Sequence, residues 1–152
     1  MLYQLAKQIL NHRSGTLFED MYWIDSNNLK IVAEETSALI EKEIVYSEVT
    51  KKIVASSSDL ITIHSHPNSF PPSISDFNSN FSNRYLVGIV ICHDGRVYMY
   101  KAMEEIPVDY FNLTVVVYLK HGYNENEAQI LALDEIKDKF NILVKEVTGD
   151  DV

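Results

Sequence analysis

The sequence predicts a single mixed α/β domain in which strands outnumber helices. At 152 residues the chain has the size of one domain and can bury a core without disulfide staples. Short runs of β-branched and aromatic residues are punctuated by turn signals, the clearest being His93-Asp94-Gly95 between two apolar runs, a strong hairpin signature. Helical periodicity instead marks the first dozen residues and a capped stripe near the C-terminus.

Leu2, Leu5, Ala6 and Ile9 recur at helical spacing, with Lys7, Gln8 and Asn11 opposite, and residues 13–16 break the helix. Residues 19–25 and 29–33 flank the turn Ser26-Asn27-Asn28 and read as a hairpin. The following stretch has mixed periodicity, and only a strand near Glu43 to Tyr46 is expected in it. Ser47 suits the N-cap of a short helix with Val49 and Ile53 on one face, ending at residues 56–59. An apolar strand from Ile61 then runs into His64 and His66, and a loop with Pro67, Pro71 and Pro72 follows.

Residues 84–92 and 96–103 are the two strands of the Asp-Gly hairpin. Residues 110–119 favour strand by propensity, but their length and the ending Lys120-His121-Gly122 favour a helix, which is the reading adopted. Asn124 with Glu127 starts a further helix, striped by Ala128, Ala132, Leu133, Ile136 and Phe140 and running to about Lys139. Residues 142–147 close the chain as a strand, and no internal repeat or low-complexity tract interrupts the unit.

A hydrophobic content of 46% with 23% charged residues fits a soluble globular protein. A net charge of −9 argues against nucleic acid and anionic membranes as partners, since neither attracts an acidic surface. Polypeptide substrates remain compatible with it. The single cysteine, Cys92, lies in an apolar run, so a buried free thiol and a cytoplasmic location are expected. With no basic segment leading into a long apolar run, neither a signal peptide nor a membrane span is expected.

The candidate site is the stretch from His64 to Asp76. Alternation along a strand points His64 and His66 the same way, about 6–7 Å apart at Cα, so both imidazoles can reach one metal ion. The proline-stiffened loop could fold Asp76 back as a third, carboxylate ligand and leave a tetrahedral position for water. A lone His-x-His also occurs in cupins, amidohydrolase barrels and metallo-β-lactamases. The lactamase pattern needs an Asp-His pair where Pro67-Asn68 stands, and an amidohydrolase barrel needs a far longer chain. Ser73-Ile74-Ser75-Asp76 can equally be a helix capping box with no chemistry attached.

Taken together, His64-Ser65-His66-Pro67 followed by Pro72-Ser73-Ile74-Ser75-Asp76 resembles the JAB/MPN family of zinc metallopeptidases, the JAMM motif of deubiquitinases and related isopeptidases. The resemblance implies a central, mostly antiparallel curved sheet flanked by helices, and one zinc per chain held by His64, His66 and Asp76. It also implies an upstream glutamate acting on the water and a serine, Ser73, donating to the oxyanion. Glu19, Glu34, Glu35, Glu41 and Glu43 all precede the histidines. Glu19, at the start of the first strand and 45 residues before His64, best matches the family position, with Glu34 second. Two departures stand out. Six residues separate His66 from Ser73, fewer than the commonest family spacing, and Tyr22 occupies the glycine position of the frequent Glu-x-x-Gly.

A narrower resemblance, through residues 15–25, 63–69, 92–95 and Val97-Tyr98, is to the JAB-like domains of phage head-morphogenesis and other mobile-element proteins. A more distant one is to the bacterial RadC-like domain. They imply a bacterial or phage-infected cytoplasm and a polypeptide or ubiquitin-like protein substrate. No long insertion suggests a dedicated ubiquitin-binding arm. A catalytically silent module that binds partner proteins, as in the inactive branch of the family, and a purely structural zinc site are the alternatives.

Overall fold

The structure, a computed structural model, describes residues 2–12, 19–36, 44–67 and 69–147. In chain order these form α1 (Leu2–His12), β1 (Met21–Asp25), β2 (Ile31–Glu35), α2 (Glu48–Ser56), β3 (Leu60–His66), α3 (Ile74–Ser82), β4 (Val87–Cys92), β5 (Val97–Ala102), α4 (Val108–Lys120), α5 (Glu125–Lys139) and β6 (Ile142–Val147). The described residues thus make a mixed α/β fold with one six-stranded sheet in the order β2-β1-β3-β4-β5-β6. Every pairing is antiparallel except β3 with β4.

Local chemistry explains the connections. In the β1–β2 turn the Asp25 carboxylate accepts from Asn27 N–H, Leu29 adopts φ 57°, and Leu29 N–H donates to Asp25 O at 2.8 Å. Between β4 and β5 the left-handed φ of 90° falls on Gly95, which has no Cβ to oppose it. A parallel pair cannot be joined by a tight turn, and α3 supplies the crossover from β3 to β4.

Alternation gives the sheet two apolar faces. Ile61, Ile63, Ile89 and Ile91 pack with Ala6 of α1, whereas Val90, Cys92, Tyr98 and Tyr100 pack with Phe77 of α3, Phe111 of α4 and Ile136 of α5. A third cluster joins Met21, Trp23, Leu60 and Tyr85 to Ile53 and Val54 of α2. Gly88 is a strand glycine with a packing reason: a Cβ there would stand 2.2 Å from the Tyr100 ring, which lies across it.

The sequence-based boundaries need several corrections. The first strand begins at Met21 rather than Glu19, and the second runs over residues 31–35 because Leu29 and Lys30 are spent in the turn. Residues 44–46 form no strand, and Glu43 lies outside the described residues. In α2, capped by Ser47 as expected, Val49 is 68% exposed and Thr50 is the buried residue. The expected helix break at 13–16, Glu41, Asn68 and the side chains of Ile9 and His12 also lie outside the described residues. The helix chosen for 110–119 is present as α4, and Cys92 is a buried free thiol. Among the described residues no helix is long and apolar enough to cross a membrane.

Candidate metal centre

Three elements converge on the site. In the β1–β3 ladder Met21 faces His64, and a backbone bond from Ser65 N–H to Asp20 O, 3.0 Å, carries the pairing one step further. Glu19 therefore comes to lie beside His66, on the sheet face that also carries Thr62 and His64. The third element is the N-terminus of α3, where Ser73 is the N-cap.

The capping box foreseen as an alternative to metal ligation is formed, and it coexists with the histidine contacts. Ser73 Oγ accepts from Asp76 N–H at 3.1 Å, and Asp76 Oδ2 accepts from Ser73 N–H at 2.8 Å. The same Oδ2 stands 3.1 Å from His66 Nε2, and Oδ1 stands 3.2 Å from His64 Nε2. The two Nε2 atoms are 3.1 Å apart. Glu19 Oε1 is more distant, 3.8 Å from His66 Nε2.

The tautomer of His66 follows from its far side. Its Nδ1 lies 3.0 Å from Phe70 O, and a carbonyl can only accept, so Nδ1 carries a proton and Nε2 is the nitrogen that turns a lone pair to the cluster whenever the ring is neutral. Cys92, beside His66 in the parallel register, donates Sγ–H to the same carbonyl. His64 Nδ1 is buried and has no hydrogen-bond partner.

Charge follows geometry. Burial disfavours the His66 imidazolium, but hydrogen bonds with Asp76 and Cys92 and the charges of Asp76 and Glu19 outweigh it and hold its pKa well above the usual value. Burial likewise works against the Asp76 carboxylate, but the two histidines outweigh it and hold its pKa well below the usual range. A metal ion and a proton would compete for the same His66 nitrogen.

Glu19, His64 and His66 are all buried, and one ligand atom from each lies within 4.8 Å of the others, so this cluster could hold a metal ion. Its donor set of imidazole and carboxylate suits such an ion. A tetrahedral ion with bonds of about 2.0–2.1 Å spaces its ligand atoms about 3.3 Å apart. The contacts among His64, His66 and Asp76 come close to that spacing.

The chain matches no protein-family model, no curated protein and no solved structure.

All five expected site residues, Glu19, His64, His66, Ser73 and Asp76, line one cleft of about 380 Å³. Glu34 does not line it, being paired with Tyr22 on the other side of the alternation. Glu35 is engaged elsewhere, its Oε2 accepting from Ser47 N–H and Thr50 Oγ1–H at the start of α2. His93 lies in the β4–β5 turn, and His121 Nδ1 contacts Val117 O at the end of α4.

Sequence reasoning missed Ser65, whose Oγ accepts from Asp20 N–H at 3.0 Å. It also missed Tyr46, Asn80, Tyr85 and Tyr100 in the cleft wall. Gly88 in a strand was the one usable signal, since an interior strand glycine marks a close approach by a large neighbour.

Proposed function

We propose that this chain is a zinc-dependent metallopeptidase or isopeptidase of the JAB/MPN type, hydrolysing an amide bond in a polypeptide or a ubiquitin-like conjugate. The observation that carries the reading is the convergence of two imidazole Nε2 atoms and the Asp76 carboxylate within 3.1–3.2 Å, with Glu19 beside them. These are the residues that the resemblance nominates, drawn together from β3, α3 and the approach to β1. The mostly antiparallel sheet with helices on both faces is compatible with that family.

His64, His66 and Asp76 are the zinc ligands in this reading, one ion per chain, and Glu19, whose contact with His66 is longer, is the proton-transfer group. When bound, zinc supplies Lewis-acid polarisation of the scissile carbonyl and brings the acidity of water near neutrality. Glu19 takes the proton of the attacking water and delivers it to the leaving amine. Ser73 Oγ accepts from Asp76 N–H in the cap, so its own proton is available to the developing oxyanion.

The test is a cleavage screen of ubiquitin-like isopeptide, linear fusion and short-peptide substrates, with zinc content measured in parallel. Glu19→Gln and a chelator should each abolish cleavage. Cleavage that survives both would remove the metal mechanism. Zinc without cleavage of any substrate would favour a silent protein-binding module. Unfolding on zinc removal, with activity indifferent to Glu19→Gln, would favour a structural ion.

A further inference from the structure

The cleft continues past the histidines along a wall that includes Tyr46, Ser79, Asn80, Tyr85 and Tyr100, and among the described residues no lysine or arginine lines it. Asn80 is only 1% exposed. Its Oδ1 accepts from Ala102 N–H at 3.0 Å, and because a backbone N–H can only donate, the amide orientation is fixed. Its Nδ2 is buried without a hydrogen-bond partner. A buried donor in that state lacks an acceptor that only a ligand or water can supply.

The hydroxyls of the wall point to the same requirement. Trp23 Nε1–H donates to Tyr85 Oη, the Tyr85 and Tyr46 hydroxyls are 2.9 Å apart, Tyr46 and Ser79 hydroxyls are 3.4 Å apart, and Asn83 Nδ2–H donates to Ser79 Oγ. Five protons, from Trp23, Asn83 and the three hydroxyls, serve four contacts. Whichever way the chain of hydroxyls is oriented, one O–H remains to donate.

We infer that this wall is a subsite for an uncharged side chain presenting a carbonyl oxygen, the carboxamide of a glutamine or asparagine next to the scissile bond. A lysine or arginine would bring donors and no acceptor to a surface already in donor surplus. A carboxylate would add a further anion to a cleft that already holds the Glu19 and Asp76 carboxylates. The carboxamide oxygen instead accepts from Asn80 Nδ2 and the spare hydroxyl without adding charge. The inference deepens the peptidase reading and rests on it for the position of the scissile bond.

The test is a chemical-shift titration of the full zinc-loaded chain with N-acetylglutamine N-methylamide and its glutamate and norleucine counterparts. All three probes share the same backbone carbonyls. The glutamine probe should bind about tenfold tighter than either counterpart and shift the Asn80 side-chain amide resonance. Asn80→Asp, which keeps an acceptor for Ala102 N–H, should erase that preference with zinc content intact. Equal affinity for the three probes, preference for glutamate, or a glutamine preference that survives this variant would overturn the subsite. A glutamine preference in a protein that cleaves nothing keeps the subsite and removes the peptidase reading, whereas cleavage without that preference does the reverse.

Discussion

Ser65 and Asp20 hold one another by two hydrogen bonds: Ser65 N–H donates to Asp20 O at 3.0 Å, and Asp20 N–H donates to Ser65 Oγ at 3.0 Å. Ser65 is the middle residue of His64-Ser65-His66, and alternation sends its side chain to the face away from the histidines. It nonetheless closes the last rung of the ladder that sets Glu19 beside His66.

Ser65→Ala should therefore act on Glu19 without touching the ligands. The substitution removes the hydroxyl that accepts from the buried Asp20 N–H, at a cost of about 1–3 kcal/mol. A displacement of about 1 Å at Glu19 would lower kcat by up to about 10²-fold. Zinc content and KM should hold, and Ser65→Thr should restore kcat. Loss of zinc together with activity would place the role of Ser65 in the ligand strand instead.

The two carboxylates should separate in a metal titration. Asp76→Asn removes the group nearest both imidazoles and should weaken zinc by more than the roughly 10–100-fold typical of an outer partner. Glu19→Gln should keep one zinc per chain and lose about 10²–10⁴ in rate, the usual share of general acid-base catalysis. Competition against a chromogenic chelator reads the first and turnover the second. Zinc lost with Glu19→Gln and kept with Asp76→Asn would exchange the two roles.

The histidine pair was legible in the sequence because strand alternation is strict. Asp76 was not decidable there, since a capping box and a metal ligand ask for the same residue at the same place, and the structure forms the box with the histidines in contact. Glu19 against Glu34 turned on strand register, which local pattern does not contain. Only the pairing of Met21 with His64 turns Glu19 toward the cleft. The strand expected near residue 46 fails because tertiary contacts claim Tyr46: its ring packs edge-on against Trp23 at 5.0 Å, and its hydroxyl meets Tyr85. Val49 and Ile53 share a helical spacing, yet Val49 is exposed, because such spacing identifies a face but not its partner. The buried residue is Thr50, held by Glu35.

Gly88→Ala should be disproportionately costly for one methyl. The added Cβ would meet the Tyr100 ring at 2.2 Å, and that ring is itself held edge-on by Phe77, with centroids 5.4 Å apart, and lies edge-on to His64 at 6.5 Å. Overpacking of this kind costs about 1–3 kcal/mol. Chemical denaturation should show that loss, and displacement of Tyr100 should carry into a weaker zinc affinity. A variant as stable as the parent would mean that the ring moves aside freely.

Tyr85→Phe tests whether the hydroxyl chain behind the site is structural as well as a wall of the cleft. Trp23 is fully buried, and its indole N–H donates to Tyr85 Oη at 2.9 Å. Burial, followed by the neighbouring Tyr46, pushes the Tyr85 pKa far up, so the phenol stays neutral through the working pH range and keeps a proton for Tyr46 or the cleft. The substitution keeps the ring and removes the acceptor. It should cost about 1–3 kcal/mol through the stranded indole N–H and alter Trp23 emission, the only tryptophan signal in the chain. Zinc stoichiometry should be unchanged, since no ligand contacts this hydroxyl among the described residues. Double-mutant analysis with Tyr46→Phe should give a non-additive result, because the two phenols share one hydrogen bond. Strict additivity would show that the chain contributes nothing as a unit.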